Sequence, residues 1–391
     1  MRIAHIITRM IIGGAQENTL LNCQGLIEQF GDDVLLITGP ERGPEGDLLS
    51  RPTGIQVPTH YIPALGRAIQ PWKDWQAYRD LQRELREFKP EVVHTHSAKA
   101  GILGRLAAWS LAIPLVVHTV HGAPFYEQQS HFAHWFYQQC ERYAAKRCHH
   151  MISVADAMTE LMVQAKVAPR EKFTTIYSGM QIEPFLHAND ERSATRAALG
   201  YTPEDVVIGT VARLSPLKGH ADILLAAAEL ASQHRHARFL WVGDGSLRTS
   251  LEQQIRQLGL QDRMQCVGLV EPAAIPSYLG AMDLLVHTSW REGLARALPQ
   301  ALLAGKPIVS YDLDGAREVC QPQYGGQLIP PGDRPALVRA ISTLISQGES
   351  RTQHAAAARA FCQARFDHRE MTRQIRNLYE EQLRCSALQT S

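Results

Sequence analysis

Short apolar runs alternate along the chain with longer stretches in which apolar residues return every three or four positions. Residues 2–8 (RIAHIIT) are almost continuously apolar and read as a buried strand, followed by a glycine pair and a helical pattern to about position 30. Strand-like runs recur at 33–38, 91–96, 114–120 and 150–154, with helical periodicity at 72–88, 98–111 and 131–147 between them. Apolar strands that do not alternate with polar residues have both faces covered, which is the pattern of a parallel sheet flanked by helices. The alternation then restarts, with strands expected at 206–212, 237–243, 264–270, 283–289 and 307–312 and helices at 218–233, 246–258, 293–304 and 333–347. The expected fold is therefore α/β, with two Rossmann-like, doubly wound parallel-sheet domains facing across a cleft. The first covers 1–183 and the second 184–365. A last helical pattern in 366–391 is expected to cross back to the first domain.

Composition narrows the function classes. In 391 residues, 45% hydrophobic and 20% charged content excludes collagen-like and disordered chains. Forty basic residues against 39 acidic ones give a net charge of +1, which argues against a nucleic-acid partner held by phosphate charge. No apolar run approaches the roughly 18 to 20 residues needed to span a bilayer, and the first residues lack a signal-peptide layout. The seven cysteines are scattered with no Cys-x-x-Cys, which fits reduced thiols in a cytoplasmic chain better than a disulfide or zinc framework.

Ligands of open α/β sheets bind beyond the carboxyl ends of the strands, so polar residues just after strands carry the chemistry. Gly13 and Gly14, in GGAQ after the first strand, let a backbone approach closely and leave amides at a helix start. That is an anion site or a plain tight turn. The residues lack the GxGxxG dinucleotide fingerprint, which sets a two-domain dehydrogenase aside. Four histidines (His94, His96, His118 and His121) stand at two strand ends. Their spacing invites a metal, but neither loop supplies a carboxylate, and strand alternation lets one histidine of each pair pack in the core. A neutral imidazole orienting a hydroxyl or a developing charge is the favoured reading, with His121 best placed, and no metal is expected. Lys99, opening the next helix, is either solvated or facing an anion. Arg213 and Lys218, in VARLSPLKGH, flank a turn after a strand. They are either a solvated pair or a diphosphate clamp, Arg offering a fork and Lys a point charge. Glu292 and Gly293 follow strand 283–289, where the carboxylate either caps a helix or accepts sugar hydroxyls beside bare amides.

Taken together, these segments resemble the GT-B glycosyltransferases of the large retaining family 4. The resemblance covers nearly the whole chain: GGAQ, HTVHG, IYSGMQIEPF, VARLSPLKG, WVGDGSLR and REGLARALPQALLAGKPIV stand in the family's order. It implies metal-independent transfer of a sugar, with retention, from a nucleotide-diphosphate donor that is a substrate and not a cofactor. By family frequency the base is uridine. On the donor side, the resemblance assigns Arg213 and Lys218 to the pyrophosphate, Glu292 to the sugar, and the amides of Gly293 and Leu294 to sugar and phosphate. Gly243 is placed in the donor site, and Gly13 and Gly14 in a phosphate loop. His121 matches the histidine beside the reacting centre. The acceptor implied is a glycan or a lipid-linked glycan of polysaccharide, lipopolysaccharide or glycolipid synthesis at the inner membrane face.

Two departures stand out. The second acidic position of the donor motif, expected at the ribose, is Gln300, which donates as well as accepts and carries no charge. The hinge carries Gln181 where the family usually has Asp. Competing readings are a GT-B sugar-nucleotide 2-epimerase and a non-catalytic carbohydrate-binding protein. Trp72, Lys73, Trp75 and the segment 125–143 are either a membrane-facing or acceptor surface, or core with a solvated flank.

Overall fold

A computed structural model describes residues 1–40, 46–50, 54–126 and 129–390, with the backbone alone at 386–390. Positions 127 and 128 of the aromatic segment lie outside the described residues. The chain divides into two compact units, Met1–Met180 with Asp367–Ser391, and Gln181–Phe366.

Unit 1 runs β1 (Arg2–Ile7), α1 (Gly14–Phe30), β2 (Asp33–Thr38), β3 (Thr59–Tyr61), α2 (Pro71–Phe88), β4 (Val92–His96), α3 (Ala98–Ser110), β5 (Leu115–Val120), α4 (His131–Ala145), β6 (His150–Ser153), α5 (Asp156–Gln164) and β7 (Phe173–Thr175). Among the described residues its strands form one seven-stranded sheet in the order β3-β2-β1-β4-β5-β6-β7, every pair parallel. The order reverses between β1 and β4, which makes that junction the topological switch point of this unit.

Unit 2 runs α6 (Glu183–Leu186), α7 (Arg192–Ala198), β8 (Val206–Val211), α8 (His220–Gln233), β9 (Ala237–Val242), α9 (Arg248–Gln257), β10 (Met264–Gly268), α10 (Ile275–Ala281), β11 (Leu284–His287), α11 (Ala297–Leu303), β12 (Ile308–Tyr311), α12 (Ala316–Val319), β13 (Gly326–Ile329), α13 (Arg334–Ser346) and α14 (Ala355–Phe366). Its described strands form a parallel sheet ordered β10-β9-β8-β11-β12-β13, with the switch between β8 and β11. The final helix, α15 (His368–Thr390), belongs to unit 1, where Met371, Ile375, Leu378 and Tyr379 join the core formed by β1, β4, β5 and α1. No described helix is long and apolar enough to cross a membrane.

The parallel register explains why these strands are apolar on both sides. His5 pairs with His94, and His94 with Val117, so all three face α1 and α15. Thr95 and His118 are paired neighbours that face the opposite way, under α3. A Cβ on Gly101 of α3 would lie 2.6 Å from the His118 ring, so glycine there allows helix and sheet to close.

The structure differs from the sequence expectation in several elements. The strands β3, β7 and β13 are three or four residues long, too short for a periodicity to register. The helices α5 and α14 were not expected. The helix expected from 293 begins only at Ala297, and residues 293–296 form an irregular approach to it.

Candidate active site

In unit 2 the switch point places two loops side by side, one after β8 and one after β11. They are stitched through backbone: the Trp290 amide donates to the Leu217 carbonyl at 2.8 Å, the Ser289 hydroxyl to the same oxygen at 3.1 Å, and the Thr288 hydroxyl to the Gly219 carbonyl at 2.9 Å. Gly219 has φ +69, and a Cβ there would sit 1.9 Å from the Thr288 carbonyl oxygen, so only glycine allows this approach. Leu217, a non-glycine residue, also has positive φ, at 68°. Backbone strain of this kind persists only where the surroundings impose it.

The stitching brings Lys218 and Glu292 together, 74 positions apart, in an ion pair between Nζ and Oε1. His287, at the end of β11, hydrogen-bonds the same oxygen at 3.2 Å. The Glu292 amide donates to Asp314, in the loop after β12, at 2.6 Å. Burial would push the Glu292 carboxyl up, but the His287 hydrogen bond and the Lys218 charge outweigh it and hold the group at about 2. An ionised carboxylate, a cation and an imidazole thus converge at the carboxyl ends of β8 and β11.

Other expected donor residues are placed differently. Arg213 is exposed at the start of the Lys218 loop. Gly293 and Leu294 follow Glu292 and are buried. Gly243 follows β9 with φ +142, and a Cβ there would lie 2.0 Å from the Ala212 carbonyl. Its amide donates to the Gly268 carbonyl at 2.9 Å. Gln300 is half-buried on α11. His287 and Asp314 escaped the sequence reading. Both stand at or after a strand end, but only the strand order puts β12 beside β11 and gives these positions their partners.

In unit 1, Gly13 caps and Gly14 opens α1, so the glycine pair does stand at a helix start. The switch point holds a row of buried histidines. His5 Nδ1 lies 3.0 Å from His96 Nε2, and His96 Nδ1 lies 3.0 Å from Nε2 of His121, just past β5. His94 is held by Tyr379 of α15 and by Thr119. His118 bonds Thr95 at 2.9 Å on the other sheet face. His94 and His96 both pack into the core on one face, because positions two apart on a strand share a side; the expectation that one of them would turn away is corrected. Burial lowers His5 to about 3. It also pushes His94, His96 and His118 well below the usual histidine range, reinforced by neighbouring histidines and, for His118, by Arg105. Ring nitrogens of His5, His94 and His96 come within 4.8 Å of one another. A metal there would have to displace hydrogen bonds that already engage both nitrogens of His94 and of His96. Lys99, half-buried, pairs with Asp74 at the start of α2.

Comparison with known proteins follows these two units. Residues 13–179 match the model for a glycosyl transferase 4-like domain, and residues 191–361 the model for glycosyl transferases group 1. A UDP-Gal:α-D-GlcNAc-diphosphoundecaprenol α-1,3-galactosyltransferase of Escherichia coli is 30% identical over 87% of either chain. A 2-deoxystreptamine N-acetyl-D-glucosaminyltransferase of Streptomyces fradiae is 27% identical over 70% of this chain and 67% of its own. Among solved structures, Anabaena HepE in complex with UDP-glucose superposes with a TM-score of 0.82 at 25% identity, covering 97% of this chain and 100% of HepE. These relatives lend no support to the epimerase alternative.

Proposed function

The chain belongs to the retaining family 4 glycosyltransferases of GT-B fold, and from that premise we propose that it moves a sugar from a UDP-sugar to a lipid-linked glycan, keeping the anomeric configuration. The observation that carries the site assignment is the Lys218–Glu292–His287 cluster at the switch point of unit 2. Uridine is supported by the relatives, since the Escherichia coli enzyme is named for UDP-Gal and HepE binds UDP-glucose. The Escherichia coli name also supports a lipid-diphosphate acceptor.

Chemically, departure of the diphosphate puts growing negative charge on the leaving group and positive charge on the sugar ring. Lys218 and Arg213 meet the first charge without a metal, with the amides of Gly293 and Leu294 alongside and those of Gly13 and Gly14 serving as a second phosphate contact. Lys218 is paired with Glu292. Donor phosphates take over the ammonium and release the carboxylate, oriented by His287, to the sugar hydroxyls. Removing one preorganised group of this kind costs about 3 to 4 kcal/mol, on the order of 10² to 10³ in rate. Gln300 is assigned to the ribose, where its amide both donates and accepts. His121 orients the reacting centre, and a donor phosphate oxygen takes the acceptor proton.

Unit 1 is assigned to the acceptor. On α4, Phe132 is 74% exposed, Trp135 55% and Tyr143 53%, at spacings that share a helix face, with Lys146 toward its end. Trp72 and Trp75 are exposed at the start of α2. Exposed aromatic rings near basic side chains suit the headgroup region of a membrane, which supports a peripheral position at the inner face.

A thermal-shift panel of UDP-, GDP- and ADP-sugars tests the donor, because a ligand of the folded state raises apparent stability. UDP-sugars should give the largest shift, and transfer to a polyprenyl-diphosphate glycan should persist in excess EDTA. Absence of a UDP-sugar shift would overturn the donor assignment, and collapse of transfer in EDTA would overturn metal independence.

A further inference from the structure

Three imidazoles in unit 1 form a continuous hydrogen-bonded row from the core to the end of β5: His5 Nδ1 to His96 Nε2, then His96 Nδ1 to His121 Nε2, each 3.0 Å. His5 and His96 are 0% and 1% exposed, and burial keeps both neutral. A neutral imidazole has one N–H and one lone pair, so each ring in such a row must accept on one side and donate on the other. Two arrangements satisfy this, with all protons directed either toward His121 or toward His5.

The inner end of the row decides between them. Among the described residues, His5 Nε2 is buried with no hydrogen-bond partner. If the protons ran inward, this atom would carry an orphaned N–H; if they run outward, it carries an unused lone pair. Buried polar hydrogens without acceptors are the rarer and costlier defect. The outward arrangement therefore wins, and His121 receives a hydrogen bond at Nε2.

We propose that His96, backed by His5, is a positioning residue that fixes His121 as its Nδ1–H tautomer. This is the form an isolated histidine in water disfavours. His94 helps hold the arrangement. Its ring centroid lies 4.3 Å from that of His96, and its own nitrogens are tied to Tyr379 and Thr119, so it walls in the His96 ring. The consequence for transfer rests on the assignment of His121 to the reacting centre. With Nε2 occupied as an acceptor, the other nitrogen of His121 is a donor. It orients an oxygen by giving a hydrogen bond, and it is not a base for the acceptor proton.

The test is ¹⁵N NMR of the full chain with labelled histidine, assigning His121 by its loss in His121→Gln. Wild-type protein should show His121 protonated at Nδ1. Protonation at Nε2 overturns the proposal without any variant. His96→Leu should return His121 to the Nε2–H form and lower kcat at least tenfold with the donor KM within about twofold. His96→Asn, whose amide nitrogen replaces the lost Nδ1–H, should keep the tautomer and most of kcat. An unchanged tautomer in His96→Leu also overturns the proposal. Wild-type turnover in His121→Ala would instead remove His121 from the reaction, a failure of the functional assignment that the tautomer spectrum tells apart.

Discussion

At the scale of single residues, the proposed chemistry rests on charges that pair with one another. Lys218 and Glu292 are each about one quarter exposed and share an ion pair, which the proposed donor phosphates would open. Lys218→Ala should therefore lower turnover at least tenfold in a folded protein, and wild-type rates there would discard the phosphate clamp. Glu292→Ala should abolish transfer while UDP still raises the melting temperature, because the carboxylate is assigned to the sugar and not to the nucleotide. Loss of the UDP shift would move Glu292 to nucleotide binding. These residue types were legible in the sequence, since Arg213, Lys218 and Glu292 all follow apolar runs. His287 was not, because an imidazole ending a strand looks the same whether it packs or orients a carboxylate until its neighbour is known. His5 was hidden more deeply, inside an apolar run that reads as core.

At the scale of elements, the loops after β8 and β11 work as one piece because Gly219 lets them touch. Gly219→Ala would drive a methyl into the Thr288 carbonyl at a backbone angle alanine avoids. The expected cost is about 2 kcal/mol or more in urea unfolding, with weakened UDP binding; unaltered stability would show that the loops have slack. The last helix is secured in a similar way. Arg376 on α15 forms two bonds to Asp32, at 2.7 and 3.3 Å, and that carboxylate is 1% exposed. Asp32 also accepts from the Met1 ammonium at 2.6 Å, so truncating Arg376 removes one of the two cations on a buried carboxylate. Arg376→Ala should destabilise unit 1 by roughly 1.5 to 3 kcal/mol, measured by urea unfolding, with Arg376→Lys in between. A neutral result would mean water reaches Asp32. The glycine after strand 206–212 was visible as a turn former, but its partner 69 positions away was not.

At the scale of the whole molecule, the buried histidines make stability depend on pH. His5, His94, His96 and His118 stay neutral in the fold well below the pH at which they protonate in the unfolded chain. Below about pH 6.5 the unfolded state therefore binds more protons, and stability falls as pH falls. Each histidine contributes about 1.4 kcal/mol per pH unit once the unfolded form is charged. Lowering the pH from 7 to 5.5 should cost on the order of 5 kcal/mol for the four together, read from urea midpoints. A flat profile over that range would mean the histidines are charged in the native protein.

Local pattern was enough to establish that the chain builds two parallel α/β units, because strands covered on both faces must be apolar throughout and their helices must be amphipathic. It also located the polar residues after each strand, where such sheets bind ligands. Strand order and register belonged to the tertiary structure alone. They join β8 to β11 and β1 to β4, and so choose Lys218 as the partner of Glu292 and place His5 beside His96. A hydrogen bond between positions 91 residues apart leaves no mark on local periodicity; it exists only once the sheet has closed.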